Sequence, residues 1–183
     1  MGRESLEQAW SSAERRLGVI APASRAALRP PVEGPALEEW ERQSGIELPE
    51  ELTCLLALHD GAENTEAGSF LPSGTRLLPV VEAIRITRRM CDALDDEELV
   101  GQWWHPQWLA FAANHDGASV YFVDARPGAG RGSVGYFFRE TGGACGKWPS
   151  LTAFFETLTS AVEDGERMHG ESPRTKDDML TWD

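Results

Sequence analysis

The chain has 183 residues, 41% of them apolar, with seven Trp, seven Phe and a net charge of −13. That length fits one domain and the apolar fraction is enough for a core, which excludes global disorder. The charge opposes nonspecific binding to nucleic acid or to an anionic membrane, no apolar run approaches a membrane span, and the N-terminal stretch with Glu4, Glu7 and Glu14 has no apolar signal core.

Ser5 is placed to cap a first helix, with Gln8 as its capping-box partner. Leu6, Trp10, Ala13 and Leu17 give that helix one apolar face, and Gly18 is expected to end it. Residues 18–35 hold Pro22, Pro30, Pro31 and Pro35 and read as an irregular connection with one turn around Ser24–Leu28. A second helix is expected from Ala36 to Ser44, with Leu37 and Trp40 inward and Glu38, Glu39 and Glu41 solvated. Gly45 sits where a left-handed C-cap belongs, and Pro49 suits the start of a third helix. Leu52, Leu55, Leu56 and His59 line the buried side of that helix, and Asp60-Gly61 stops it.

Residues 62–69 read as a loop, and Phe70-Leu71 with Arg76–Leu78 as a short hairpin around Pro72-Ser73-Gly74. Pro79 opens a fourth helix through Val80, Ala83, Ile84, Thr87 and Met90 or Cys91. The segment Asp92–Glu98 then carries five carboxylates and no base, and Trp103-Trp104-His105-Pro106 follows as an aromatic, non-helical stretch. The second half changes period. Trp108–Ala112, Val120–Asp124 and Val134–Phe138 read as strands, separated by the Asn114–Gly117 turn and the glycine-rich Pro127–Gly132 connection. Gly142-Gly143 reads as a further turn. A last amphipathic helix starts near Ser150, lined by Leu151, Phe154, Phe155, Leu158 and Val162.

These elements predict an α+β fold: N-terminal helices packed on a largely antiparallel β-meander sheet, closed by a C-terminal amphipathic helix. Residues 1–163 are expected to form this domain, and residues 164–183 a polar, mobile tail that would dock through Met179, Leu180 and Trp182. Cys54, Cys91 and Cys145 are odd in number and far apart, which fits a reducing, cytoplasmic setting better than a disulfide framework or a zinc site.

No motif commits the chain to catalysis or to a cofactor. Gly130-x-Gly132-x-x-Gly135 matches the dinucleotide fingerprint in form, but a β-rich run follows it where a helix N-terminus would have to meet the pyrophosphate. Asn114, Asp116 and Asp124 lack the spacing and the bidentate Glu of a calcium loop, with Ala118 and Val120 at ligand positions. His59, His105, His115 and His169 show no metal-ligand spacing, and there is no Gly-x-Ser-x-Gly elbow. Because triads assemble in space, a hydrolase built convergently in the β half from His105, His115 or Asp124 stands as an alternative.

Trp40, Gly45, Leu48-Pro49, Leu52, Leu55 and Asp60-Gly61 come first along the chain, followed by Trp108-Leu109-x-Phe111-Ala112, Asp116-Gly117, Tyr121-Phe122-Val123-Asp124 and Phe154-Phe155. In that order and spacing, over about residues 5–162, the chain resembles the SUKH superfamily of fungal Smi/Knr cell-wall-assembly regulators and their bacterial relatives. It departs from the pattern at Asp60, where many members carry Asn, at Ala110, where Pro is common, and at His115, in a turn usually richer in Gly and Asp. The resemblance implies an α+β domain without enzymatic activity. In bacteria such domains are often immunity proteins that bind and neutralise toxins, nucleases included; in fungi they act as signalling hubs, so a regulatory adaptor in cell-wall assembly or signalling is a second alternative.

The expected partner is therefore a protein with a basic surface, a nuclease-like toxin in the first reading, bound without nucleic acid or membrane, and the oligomeric state stays open. Charge clustering supports this: residues 33–51 carry −6 and residues 92–98 carry −5, whereas residues 1–32 carry +2. The candidate contact residues are Glu63, Glu66, Asp95, Asp96, Glu97 and Glu98, with Trp103 or Trp104 as the aromatic anchor. Against that stands the plainer reading of a core-packing Trp beside a solvated charge run.

Overall fold

A computed structural model describes residues 2–183. Helix α1 spans Gly2–Ile20 and buries Leu6, Ala9, Trp10, Ala13 and Leu17. It runs past Gly18, which lies against the side chain of Arg25 instead of ending the helix. The proline-rich connection contains α2, Pro22–Ala26, a single short helix with Pro in its first turn. Helix α3, Ala36–Ser44, ends on Gly45 at φ 67, the left-handed C-cap expected there. Across the elbow, the Leu48 amide donates to Glu41 Oε1 at 2.8 Å, and Pro49 is the N-cap of α4, Glu50–Leu58.

Asp60-Gly61 does more than stop α4. Asp60 Oδ1 accepts from the Val80 amide at 2.7 Å, so it caps the first turn of α5, Val80–Asp92, from twenty residues away. Gly61, at φ 73, lets the Leu78–Pro79 backbone approach so closely that a Cβ there would collide with it. The predicted hairpin after this loop is only partly formed. Leu71 and Thr75 pair across a 3₁₀ turn at Pro72–Gly74, and β1, Arg76–Leu77, then leaves to join the main sheet.

That sheet is a five-stranded antiparallel meander, β1–β2–β3–β4–β5 in order, with β2 Trp108–Ala113, β3 Ser119–Asp124, β4 Val134–Phe138 and β5 Gly142–Trp148. Strand β5 occupies the stretch that the sequence presents as a Gly-Gly turn; the actual turn lies at residues 139–141. The side-chain alternation of a strand divides the aromatics between two faces. Phe111, Tyr121 and Trp148 point to the side where Phe154 of α6, Leu151–Asp164, packs on them, and Tyr136 lies beside Tyr121 there. Trp108, Phe122 and Phe137 point to the other side and surround Trp104. Helix α5 lies against β2 there, with Thr87 Oγ1 accepting from the Ala110 amide at 3.1 Å. Both faces being covered, every residue of β2 and β3 is buried.

Ser150 caps α6 by accepting from the Ala153 amide, and α1 packs along α6 and α4, with the Trp10 ring edge-on to Phe155 at 4.9 Å. The C-terminal segment is a hairpin, β6 Pro173–Lys176 and β7 Met179–Trp182, in place of the mobile tail. Its two turn residues, Asp177 and Asp178, both have positive φ, the requirement of a tight hairpin turn. Leu180 is buried, its amide donates to Ser24 Oγ, and Trp182 Nε1 donates to the Phe70 carbonyl at 2.8 Å.

Candidate protein-docking face

Five acidic side chains at the C-terminal end of α5 would repel one another in a regular helix, and the chain leaves the helix at Asp92. Residues 93–107 cross the Trp108 face of the sheet as a series of tight turns. Asp96 Oδ1 accepts from the Glu98 amide at 2.9 Å and starts the 3₁₀ turn Glu97–Leu99. The Trp103 amide donates to the Leu99 carbonyl at 2.8 Å, and Gly101 donates to Trp104 at 2.7 Å. The Gly143 amide donates to Gln102 and fastens the loop to the start of β5. One carboxylate of the run, Asp96, therefore has a local structural use.

The two adjacent tryptophans are separated by this geometry. Trp104 is 0% exposed, its ring edge-on to Trp108, Phe122 and Phe137 at 5.3–5.7 Å from its three aromatic neighbours. Its indole N–H has no hydrogen-bond partner, and the Cys91 thiol is the polar group beside it. A side chain so enclosed has no surface to offer a partner, so of the two expected anchors only Trp103 remains a candidate. Trp103 is half-buried, one edge on Phe137 at 4.9 Å.

Asp95, Asp96, Glu97 and Glu98 are all exposed, and among the described residues no ion pair engages any of them or Asp92. Immediately after them, Leu99 and Val100 are 38% and 40% exposed, two of the few large apolar side chains that face solvent. The sequence reading missed these two. Their signal was an apolar pair after an acidic run, outside any helical or strand period. At the base of the loop a cleft of about 420 Å³ opens between α3 and α5. Trp40, Ile46, Ile84 and Cys91 give it apolar walls, and Asp92 and Gln107, from either end of the loop, line its mouth. Arg88 spans it with a hydrogen bond to Gln43.

Glu63 and Glu66 belong elsewhere. Both are exposed in the loop after Gly61, Glu63 is paired with Arg29 at 3.3 Å, and Asn64 between them lines a second cleft against residues 82–89 of α5. The acidic run leaves the C-terminal end of that helix, beyond the turns bearing Arg85 and Arg89. In the chain, Arg85 and Arg89 stand between the two acidic groups.

The residues of the hydrolase alternative are also dispersed. His115 lies in the turn before β3 and Asp124 at the far end of that strand, about 17 Å apart along it at ~3.3 Å per residue. Asp124 is bound by Arg126, whose Nε and Nη2 donate to its two oxygens at 2.6–3.0 Å while the Arg126 amide donates to Oδ1. Burial alone would raise the Asp124 pKa; the Arg126 side chain and amide outweigh it and hold the carboxyl below its ordinary value. His105 is nearby, pushed down by burial and then by Arg126, which disfavours its charged form. Cys145 completes the group; burial pushes its thiol up to about 11. Through Arg126 Nη2, which also reaches Cys145 Sγ, this cluster ties the connection after β3 to β5. Likewise Gly135, of the formal dinucleotide fingerprint, sits inside β4 with its Cα against the Phe122 ring and the Ala144 carbonyl, where a Cβ would not fit. The glycine is there for packing. Among the described residues no group of three or more His, Cys, Asp or Glu is arranged to hold a metal, and no helix is long and apolar enough to cross a membrane.

The left-handed cap at Gly45, the elbow to Pro49, the Asp60 cap and the five-stranded meander all lie within residues 31–157. Over that span the chain matches the model of the SMI1 / KNR4 family (SUKH-1). The chain belongs to this family. No curated protein matches alongside it. Of the candidate docking residues, the loop with Leu99, Val100 and Trp103 falls inside the SUKH-1 span, as do Glu63 and Glu66.

Proposed function

We propose that this SUKH-1 chain is a non-enzymatic protein-binding domain of the immunity type, which neutralises a cationic toxin by covering its working surface. The observation that carries the reading is the loop 92–104. Its four unpaired carboxylates at Asp95–Glu98 stand directly beside exposed Leu99 and Val100 and the free edge of Trp103. Uncompensated charge of one sign accelerates encounter with a basic surface, and apolar area at its centre slows release once water is expelled. The α3–α5 cleft at the base of the loop offers room for a side chain of the partner.

The experiment starts by capturing partners from the native organism at low salt and identifying those released at high salt. Association and dissociation rates are then measured for the captured protein. Lysine at Asp95, Glu97 and Glu98, leaving the Asp96 cap in place, is expected to slow association by about 10-fold or more and to flatten its salt dependence. Trp103→Ala is expected to act on dissociation instead. Co-expression of the partner alone should arrest growth, and adding this chain should restore it. An association rate unaffected by charge reversal removes the acidic loop from the interface, and a partner without toxicity favours the adaptor reading over immunity.

A further inference from the structure

Along α5, in the turns that precede the acidic run, the sign of the surface changes. A cleft of about 380 Å³ is enclosed by Asn64 from the loop after Gly61, Arg76 of β1, Glu82, Arg85 and Arg89 of α5, and Asn114, His115 and Gly117 of the β2–β3 turn. Its volume is within the range of small-molecule sites. Three arginines face one glutamate in it. Arg76 is almost fully buried and structural, donating to the Ala62 and Leu77 carbonyls and to Glu82 at 2.6 Å. Arg85 shares the same Glu82 oxygen at 3.3 Å. Arg89 has no ion-pair or hydrogen-bond partner among the described residues, and its guanidinium is seated against Gly117, so closely that a Cβ on that residue would displace it.

The acids around the rim do not compensate this excess. Glu63 is already paired with Arg29, and Asp116 with Arg139, which also donates to the Asp116 carbonyl at 2.9 Å. Within a chain of net charge −13, the cleft thus carries two uncompensated positive charges, beside the amide groups of Asn64 and Asn114 and the imidazole of His115. A concave site focuses such a field. A carboxylate would cancel half of it. A phosphoryl group, with a charge of about −1.5 to −2 and three acceptor oxygens, matches both the charge and the forked donors of arginine.

We propose that this cleft binds a phosphoryl group, with Arg89 as its principal ligand and Arg85 as the second. The proposal is independent of the acidic docking loop and holds or fails separately from it.

The test is a titration of the full-length, ¹⁵N-labelled chain with inorganic phosphate, following the amides of residues 82–89 and 114–117. Saturating shifts at those amides are expected, with a dissociation constant of about 1 mM or tighter. Binding at least tenfold weaker is expected in Arg89→Ala, an exposed position whose loss leaves the thermal midpoint unchanged. Arg89→Lys keeps the charge but not the fork and should also weaken binding, and Gly117→Ala should do so by moving the guanidinium. Phosphoserine binding more tightly than phosphate would assign the group to a phosphorylated side chain; pyrophosphate binding more tightly than both would assign it to a small phosphorylated metabolite. Shifts that do not saturate, that chloride or acetate reproduces at equal concentration, or that persist with unchanged affinity in Arg89→Ala overturn the proposal.

Discussion

Replacing Trp104 by Ala should damage the fold far more than the same change at Trp103, one residue away. A fully buried Trp removes roughly 150–250 Å² from water. At about 25 cal/mol per Å² that is worth roughly 4–6 kcal/mol as an upper estimate. Measured Trp→Ala losses in cores run at about 3–5 kcal/mol, so about 4 kcal/mol is expected for Trp104, which is 0% exposed and has three aromatic rings around it. Trp103 is partly buried with one ring partner, and about 1–2 kcal/mol is expected there. For a chain of this length, each kcal/mol moves the thermal midpoint by about 2–4 °C, so Trp104→Ala should lower it by roughly 8–16 °C and Trp103→Ala by a few degrees. Urea denaturation followed by far-ultraviolet circular dichroism checks the same ordering through the midpoint concentration at unchanged slope. If Trp103→Ala costs as much as Trp104→Ala, the division of the pair into a core residue and a surface residue is wrong.

Asp60→Ala should destabilise by about 1 kcal/mol through loss of the α5 cap while Asp60→Asn, which keeps an acceptor, stays near the parent; urea midpoints decide this. With burial raising the Cys145 thiol to about 11, iodoacetamide should modify Cys145 slowly at neutral pH and faster as pH approaches that value, as followed by peptide mass spectrometry. Rapid labelling at pH 7 would contradict its burial. Asp124 is held below its ordinary pKa in the fold, so its contribution is fully present above about pH 4, the unfolded value, and is lost as pH falls through the lower folded value. Asp124→Asn should therefore lower stability at pH 7 and reduce the dependence of stability on pH in the acid range, measured by denaturation across pH 2–7.

The sequence was most readable where one residue type has a single physical use. Gly45 after an amphipathic run, Ser150 before one, and β-branched and aromatic runs between turn residues all took their expected places. It misled where glycine serves packing. Gly142-Gly143 looks like a turn, yet both lie in β5, where Gly143 makes room for the Trp108 ring. Such a requirement comes from another strand and leaves no local trace. The terminal hairpin was hidden in a similar way: Asp177 and Asp178 are polar and look like tail, and only their positive φ values mark the turn. At the candidate docking face the charge run was legible and its apolar neighbours were not. Leu99 and Val100 gain meaning only once the loop turns them outward, and the fate of Trp104 depends on the cavity among Trp108, Phe122 and Phe137. The arginine cleft gathers residues from four separate stretches, Asn64, Arg76, Glu82–Arg89 and Asn114–Gly117, which no spacing in the chain connects.

The helix α1 and the β6–β7 hairpin both lie beyond residues 31–157, yet they close the molecule: Trp10 fits against Phe155, and Leu180 and Trp182 seal α2 and Phe70. The segment shared with kin and the segment that folds thus differ in length. A fragment trimmed to residues 31–157 would lose the last turns of α6 and bare the Phe155 and Phe70 surfaces together, and it is expected to precipitate. Relatedness here is recorded in the middle of the chain, while its solubility depends on the flanks.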